Sequence, residues 1–100
     1  MVKHIVMWRL KDDCEGRDKR ATALLLKEEL ESMIGKIDGL RSLEVGINVN
    51  SNVAAFDLVL ITEHSTLSDL QFYQEHPAHL AVSSFVKTAT KERAVVDYGF

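Results

Sequence analysis

Val2 to Leu10, VKHIVMWRL, is apolar on both of its sides, and this limits what the chain can fold into more than any other feature. Bulky and β-branched residues in so short a run read as a strand. Successive side chains of a strand point to opposite faces. The even positions are Val2, His4, Val6, Trp8 and Leu10, and the odd ones are Lys3, Ile5, Met7 and Arg9. The even set asks for a core. The odd set has an apolar centre between charged ends, and asks for a cover of its own.

The pattern returns in Ala54 to Glu63, AAFDLVLITE. Its even positions, Ala54, Phe56, Leu58, Leu60 and Thr62, read as core-facing, and its odd ones are Asp57, Val59, Ile61 and Glu63. Between these strands, Ala23, Leu26, Leu30, Met33 or Ile34, and Ile37 recur at helical spacing, which predicts a helix from about Asp18 to Ile37 that Gly39 stops. Leu43, Val45, Ile47 and Val49 alternate with polar residues and glycine as a half-buried strand, and Asn50, Ser51 and Asn52 make the turn. Ser65 and Thr66, followed by Ser68 and Asp69, mark a helix start. A short helix Leu67 to Glu75 then meets Pro77, which breaks it and opens a second segment to about Lys91, carrying Leu80, Phe85, Val86 and Ala89. Arg93 to Tyr98, RAVVDY, closes as a strand.

The order is βαββαβ over one domain, residues 1–100. It predicts a ferredoxin-like α+β fold, a four-stranded antiparallel sheet with both helices on one face and strands 1 and 3 at its centre. The other face then presents Ile5, Met7, Val59 and Ile61, rimmed by Lys3, Arg9, Asp57 and Glu63. An apolar patch with a charged rim is built as an interface. A two-fold axis makes such a patch self-complementary, so the expected partner is a second copy, a homodimer burying roughly 1,200–2,000 Å².

Charge and composition remove other classes. The net charge is −3 with no basic stripe, so no nucleic-acid partner is expected. Cys14 is the one cysteine, which excludes an internal disulfide and fits a reducing compartment. Lys3, His4 and Arg9 interrupt the first apolar stretch, which is therefore no signal peptide, and no run suits a membrane span. A cytoplasmic protein is expected.

The residues able to carry chemistry gather in FYQEHPAH. His76 and His79 are three apart, but zinc takes three or four ligands and neither HExxH nor a cysteine pair occurs, so no metal is expected. No cofactor-binding loop is visible either. His79 follows Pro77 in a first helical turn, where the helix dipole favours neutral imidazole. His4, on the core-facing side of strand 1, should share a pocket with Tyr73 and His79. An accepting His beside a donating Tyr suits proton transfer on a small carbonyl compound. The alternative is structural: a Tyr and a His at a kink that satisfy backbone groups left unpaired. Trp8, Leu58, His76 and Phe85 are expected around this helix–sheet pocket. A cavity of roughly a few hundred Å³ reached by both Tyr73 and His79 favours an enzyme or binder, whereas filling by Trp8, Phe56 and Phe85 argues against catalysis. His64, at a strand end, is expected to be exposed.

VKHIVMWRLKD, DLQFYQEHPAH and RAVVDY together resemble the stress-responsive A/B barrel (Dabb) family over nearly the whole chain. The resemblance implies a dimeric α+β barrel of ferredoxin-like protomers. One branch of the family, olivetolic acid cyclase, closes a linear polyketide by intramolecular aldol condensation, using a Tyr and a His with neither metal nor cofactor. By that resemblance Tyr73 and His79 fall on the catalytic pair and His4 on a pocket histidine, while Leu58 stands where the cyclase has another histidine. Two functions follow as expectations. One is a homodimer of undetermined activity with a small organic ligand in its pocket, the other a cofactor-independent cyclase or isomerase.

Overall fold

The computed structural model covers Met1–Phe100. Its elements are β1 (Val2–Leu10), α1 (Lys19–Glu31), β2 (Leu40–Ile47), β3 (Leu58–His64), α2 (Leu67–Glu75), α3 (Pro77–Ala89) and β4 (Thr90–Gly99). The strands form one sheet in the order β2-β3-β1-β4, and every neighbouring pair is antiparallel. This is the ferredoxin-like α+β arrangement, with the second helical region split by Pro77 so that the order is βαββααβ.

Side-chain caps start the helices. The Asp18 carboxylate accepts from the Ala21 N–H at 2.9 Å, and the Thr66 hydroxyl accepts from the Asp69 N–H at 3.1 Å. Each satisfies a donor that the first turn leaves free. The first helix ends at Glu31 rather than near Ile37. Gly35 and Gly39 adopt φ of +80° and +85°, which unwinds the chain into turns. Met33 and Ile37 still enter the core, from those turns rather than from the helix. A Cβ at Gly39 would lie 2.9 Å from Asp69 Cγ, so this link presses against the start of α2.

Two strand boundaries differ from expectation for one reason. Asn48, Asn50 and Asn52 form a staircase in which each side-chain oxygen accepts from the N–H two residues on, at 3.2, 2.7 and 2.8 Å. Such Asx turns compete with strand pairing. Hence β2 stops at Ile47, leaving Val49 exposed, and β3 begins at Leu58 rather than Ala54. Arg9 pins the staircase: its guanidinium donates to the carbonyls of Val53 and Ala55 at 3.3 and 3.0 Å and lies 4.3 Å over the Phe56 ring. The Asp57 carboxylate accepts from the Leu10 N–H at 2.8 Å. Ala54 and Phe56 are thus outside the core-facing row, and Arg9 and Asp57 hold this chain's own loop.

The helices cover one face. On it lie the buried His4, Val6, Trp8 and Leu10 of β1 and Leu58, Leu60, Thr62 and His64 of β3. His64 is fully buried, not exposed, because the alternation of β3 runs one residue further than expected and returns the chain to the core side. The opposite face has no layer over it. Two rows cross it, Ile61–Ile5–Val96 and Val59–Met7–Ala94, each set by cross-strand register. Lys3 and Glu63 pair at 3.6 Å at one end, and Arg9 and Glu92 at 3.1 Å at the other. The last strand is exposed on both sides, with Val95 toward the helices and Val96 away from them.

Candidate functional site

A corner between two helices builds the site. His76 has extended backbone angles and is at once the end of α2 and the N-cap of α3. Its Nδ1 accepts from the Ala78 N–H at 3.0 Å, and Pro77 has no N–H to satisfy. Tyr73, in the last turn of α2, and His79, in the first turn of α3, are thereby folded onto each other with ring centroids 4.7 Å apart.

Tyr73 is sealed, at 0% exposure, among three histidines. Its ring lies 4.9 Å from His64 and, edge-on, 6.2 Å from His4. His4 of β1 sits in register between Thr62 of β3 and Asp97 of β4, and its Nδ1 is bonded to the Asp97 carboxylate. His64 Nε2 is 2.9 Å from the Thr62 hydroxyl. The Tyr73 hydroxyl and the Nδ1 atoms of His64 and His79 are buried without a hydrogen-bond partner. Native proteins leave few such groups unpaired.

Burial sets the protonation states. It raises the Tyr73 pKa and so holds the side chain as a phenol, a proton donor. It lowers the pKa of His64, with the nearby His4 adding to the effect and Asp69 and Asp97 offsetting part of it. His79 is lowered first by burial as well, while the Gln74 backbone offsets part of this and His4, Arg93 and Lys87 push further down. His79 is therefore a neutral base near pH 7. Its position at a helix N-terminus is not the leading cause.

Beside His79 lies a cavity of about 110 Å³. Val6, Trp8 and Leu60 of the sheet form its floor, Leu30 and Met33 close one side, and Val82 and Val86 of α3 close the other. His79, Ser83, Lys87, Thr90 and Arg93 supply its polar lining. Its volume is less than the about 150 Å³ that accepts benzene, so it takes a small branched chain, or a ring only with part of the ligand outside. It is also smaller than expected of a binder or enzyme, and Tyr73 is not part of its lining. A shallower groove of about 340 Å³ lies near Met7, Val59 and Phe56, but it is on the far side of the sheet from every histidine.

The residues expected to gather do so only in part. His4, Tyr73 and His79 come together, and Trp8 lines the cavity. The Tyr73 ring is behind the cavity wall rather than on it. Leu58 is buried beside Trp8 in the row Trp8–Leu58–Ile47, next to the cavity but not part of its lining. His76 is occupied as a helix cap, and Phe85 packs against the core elsewhere. Asp97, Lys87 and Arg93 are not signalled by the sequence, and His64 was expected to be exposed rather than part of the site. Continuing the period-two alternation past Thr62 would have found His64, whereas Asp97 required the β1–β4 register. No group of three or more His, Cys, Asp or Glu side chains is arranged to hold a metal ion. No helix is long and apolar enough to cross a membrane.

A four-stranded antiparallel sheet with helices on one face, a bare apolar face behind it and a tyrosine–histidine corner define a ferredoxin-like α+β protein. The chain belongs to the stress responsive A/B barrel domain family, whose profile matches residues 2–100. It is similar to a dimeric protein of unknown function with a ferredoxin-like fold from Bacteroides fragilis, at 36% identity and a TM-score of 0.87 over 99% of this chain and 95% of that one. A dimeric ferredoxin-like protein from Thermobifida fusca gives a TM-score of 0.86 at 17% identity, covering 99% and 90% of the two chains. A hydroxynitrile lyase from Passiflora edulis shares the fold at 14% identity, with a TM-score of 0.81 over 97% and 90%. Comparison with curated proteins finds no match.

Proposed function

We propose that this chain works as a homodimer, joined through the bare face of its sheet, and that each subunit takes a small organic molecule into the cavity beside His79. The observation that carries the binding reading is the cavity itself, apolar on its floor and ending at a histidine that burial keeps unprotonated. A mostly apolar pocket with a few convergent polar groups and a perturbed titratable residue is the usual form of a small-molecule site. The dimer rests on the rows centred on Ile5 and Met7, and on the 36%-identical relative described as dimeric. Titration of small aromatic and branched compounds into labelled protein tests the binding. Saturable shifts at Trp8, His79 and Val82 are expected, and no shift at any of them would overturn it.

The proximity of Tyr73 to His79 favours a second reading, a cofactor-independent cyclase or isomerase. In it, neutral His79 takes the proton beside a carbonyl and Tyr73, kept as a phenol, donates to the oxygen. The phenol lies behind the cavity wall, so this reading requires the Tyr73 hydroxyl to reach the substrate past the neighbouring His79 ring. Turnover of a β-keto thioester by the native chain, lost in both Tyr73→Phe and His79→Ala, is the expected result. Equal turnover in both variants would remove the pair.

A further inference from the structure

We infer that the cavity selects anions: its ligand is a small apolar molecule with one carboxylate, enolate or phenolate, placed with the negative end between Lys87 and Arg93. This deepens the reading of the cavity as a small-molecule site and rests on it.

The argument is one of charge left over. Of the polar residues lining the cavity, Lys87 and Arg93 are cations, His79, Ser83 and Thr90 can donate hydrogen bonds, and none is a carboxylate. Lys87 and Arg93 come from different elements, the last turn of α3 and the start of β4, yet both line the cavity and both are exposed, which puts them on its solvent side. Neither makes an ion pair within the subunit. The carboxylates nearest in sequence are engaged elsewhere. Glu92 pairs with Arg9 at 3.1 Å on the other face of the sheet, and Asp97 is bonded to His4. Alternation along β4 thus sends the acid at 92 away from the opening and leaves the base at 93 beside it.

Below the charged opening, the walls are Trp8, Val82 and Val86, which match an aromatic ring or a branched chain. An apolar body with a charged end can therefore enter without stranding that charge in the core, since the opening is in contact with water. A cationic ligand would meet two like charges there, and a neutral one would leave both cations without a counter-charge. Guanidinium also offers a planar fork that fits a carboxylate's two oxygens.

Benzoate and its neutral counterpart benzamide, titrated into labelled protein at matched low ionic strength, test the inference. Native protein is expected to bind benzoate about tenfold more tightly than benzamide, since exposed charges contribute only modestly one at a time. Shifts should fall at Trp8, His79 and Val82. The double variant Lys87→Gln, Arg93→Gln should lose that preference, its benzoate and benzamide affinities becoming equal. Both side chains have exposed heads, so the variant should fold, and an unchanged spectrum away from the cavity would show it. Equal binding of the two probes by native protein, or a preference that survives in the double variant, overturns anion selection and leaves the small-molecule site standing. Binding of neither probe at the cavity overturns both.

Discussion

Asp97 of β4 stands directly opposite His4 of β1, and its carboxylate holds Nδ1 of an imidazole that is otherwise closed off from solvent. The edge strand thus supplies the partner for a polar group in the centre of the sheet. Asp97→Ala should strand that nitrogen at a cost of about 1–3 kcal/mol, the usual penalty for an orphaned buried group. Asp97→Asn, which retains an acceptor, should lose less. Urea unfolding of the three proteins measures this, and equal midpoints would show that the contact contributes nothing.

Tyr73 presents the opposite case. Its hydroxyl is buried without a partner, so Tyr73→Phe should leave stability unchanged or raise it by up to about 1 kcal/mol. A loss of more than that would mean that the hydroxyl is satisfied in solution. A gain would mark the phenol as kept at the expense of stability, as groups retained for chemistry are.

Acid should weaken the fold through His64 and His79. Both have folded-state pKa values below the ordinary 6.5, mainly because burial disfavours the charged ring. The unfolded chain therefore binds more protons than the folded one below that pH. The stability these residues contribute is complete above pH 6.5 and declines as the pH falls toward their lowered values. Chemical unfolding at steps from pH 7.5 to 5 should show the decline, and His64→Gln with His79→Gln should flatten it. An unchanged slope in the double variant would assign the decline to other groups.

Two glycines with nearly the same φ separate strain from crowding. Gly35 and Gly39 have φ of +80° and +85°, but a Cβ at 35 meets open space while one at 39 would meet Asp69 at 2.9 Å. Gly35→Ala should cost about 1 kcal/mol from backbone strain alone. Gly39→Ala should cost distinctly more, about 2–4 kcal/mol, because the backbone of the link and α2 must also part. Equal losses would mean that the link is free to move away from the helix.

The dimer is tested at the centre of its proposed contact. Ile5 and Ile61 are direct cross-strand neighbours on the bare face. Ile61→Lys places a charge where the second copy would lie, and a loss of about 2 kcal/mol or more would weaken association at least thirtyfold. Light scattering should find a dimer in the native chain at micromolar concentration and a folded monomer in the variant. A native monomer at that concentration would remove the homodimer.

The frame was readable because each face carries its own period. Val6, Trp8 and Leu10 against Ile5 and Met7 define two sides of β1 with no knowledge of its partners, and the order of elements then limits the topology. The misplaced boundaries arise where local polar chemistry interrupts a pattern that looks continuous. Ala54 and Phe56 keep the alternation of β3, but the asparagine staircase and Arg9 hold them in a loop. Met33 and Ile37 keep helical spacing, though positive-φ glycine has already unwound the helix. In the site, Tyr73 and His79 were legible because one corner joins them. Asp97 and Arg93 were not, since their positions depend on how β4 registers against a strand that lies far away in the sequence.

The bend at His76–Pro77 needs no outside support: proline removes one demand for an acceptor, and the imidazole meets the next. Its angle is therefore set by two residues whose work is finished before any ligand arrives. Other side chains at 73 and 79 would inherit the same bracket, so the mount can be kept while the tool it holds is exchanged.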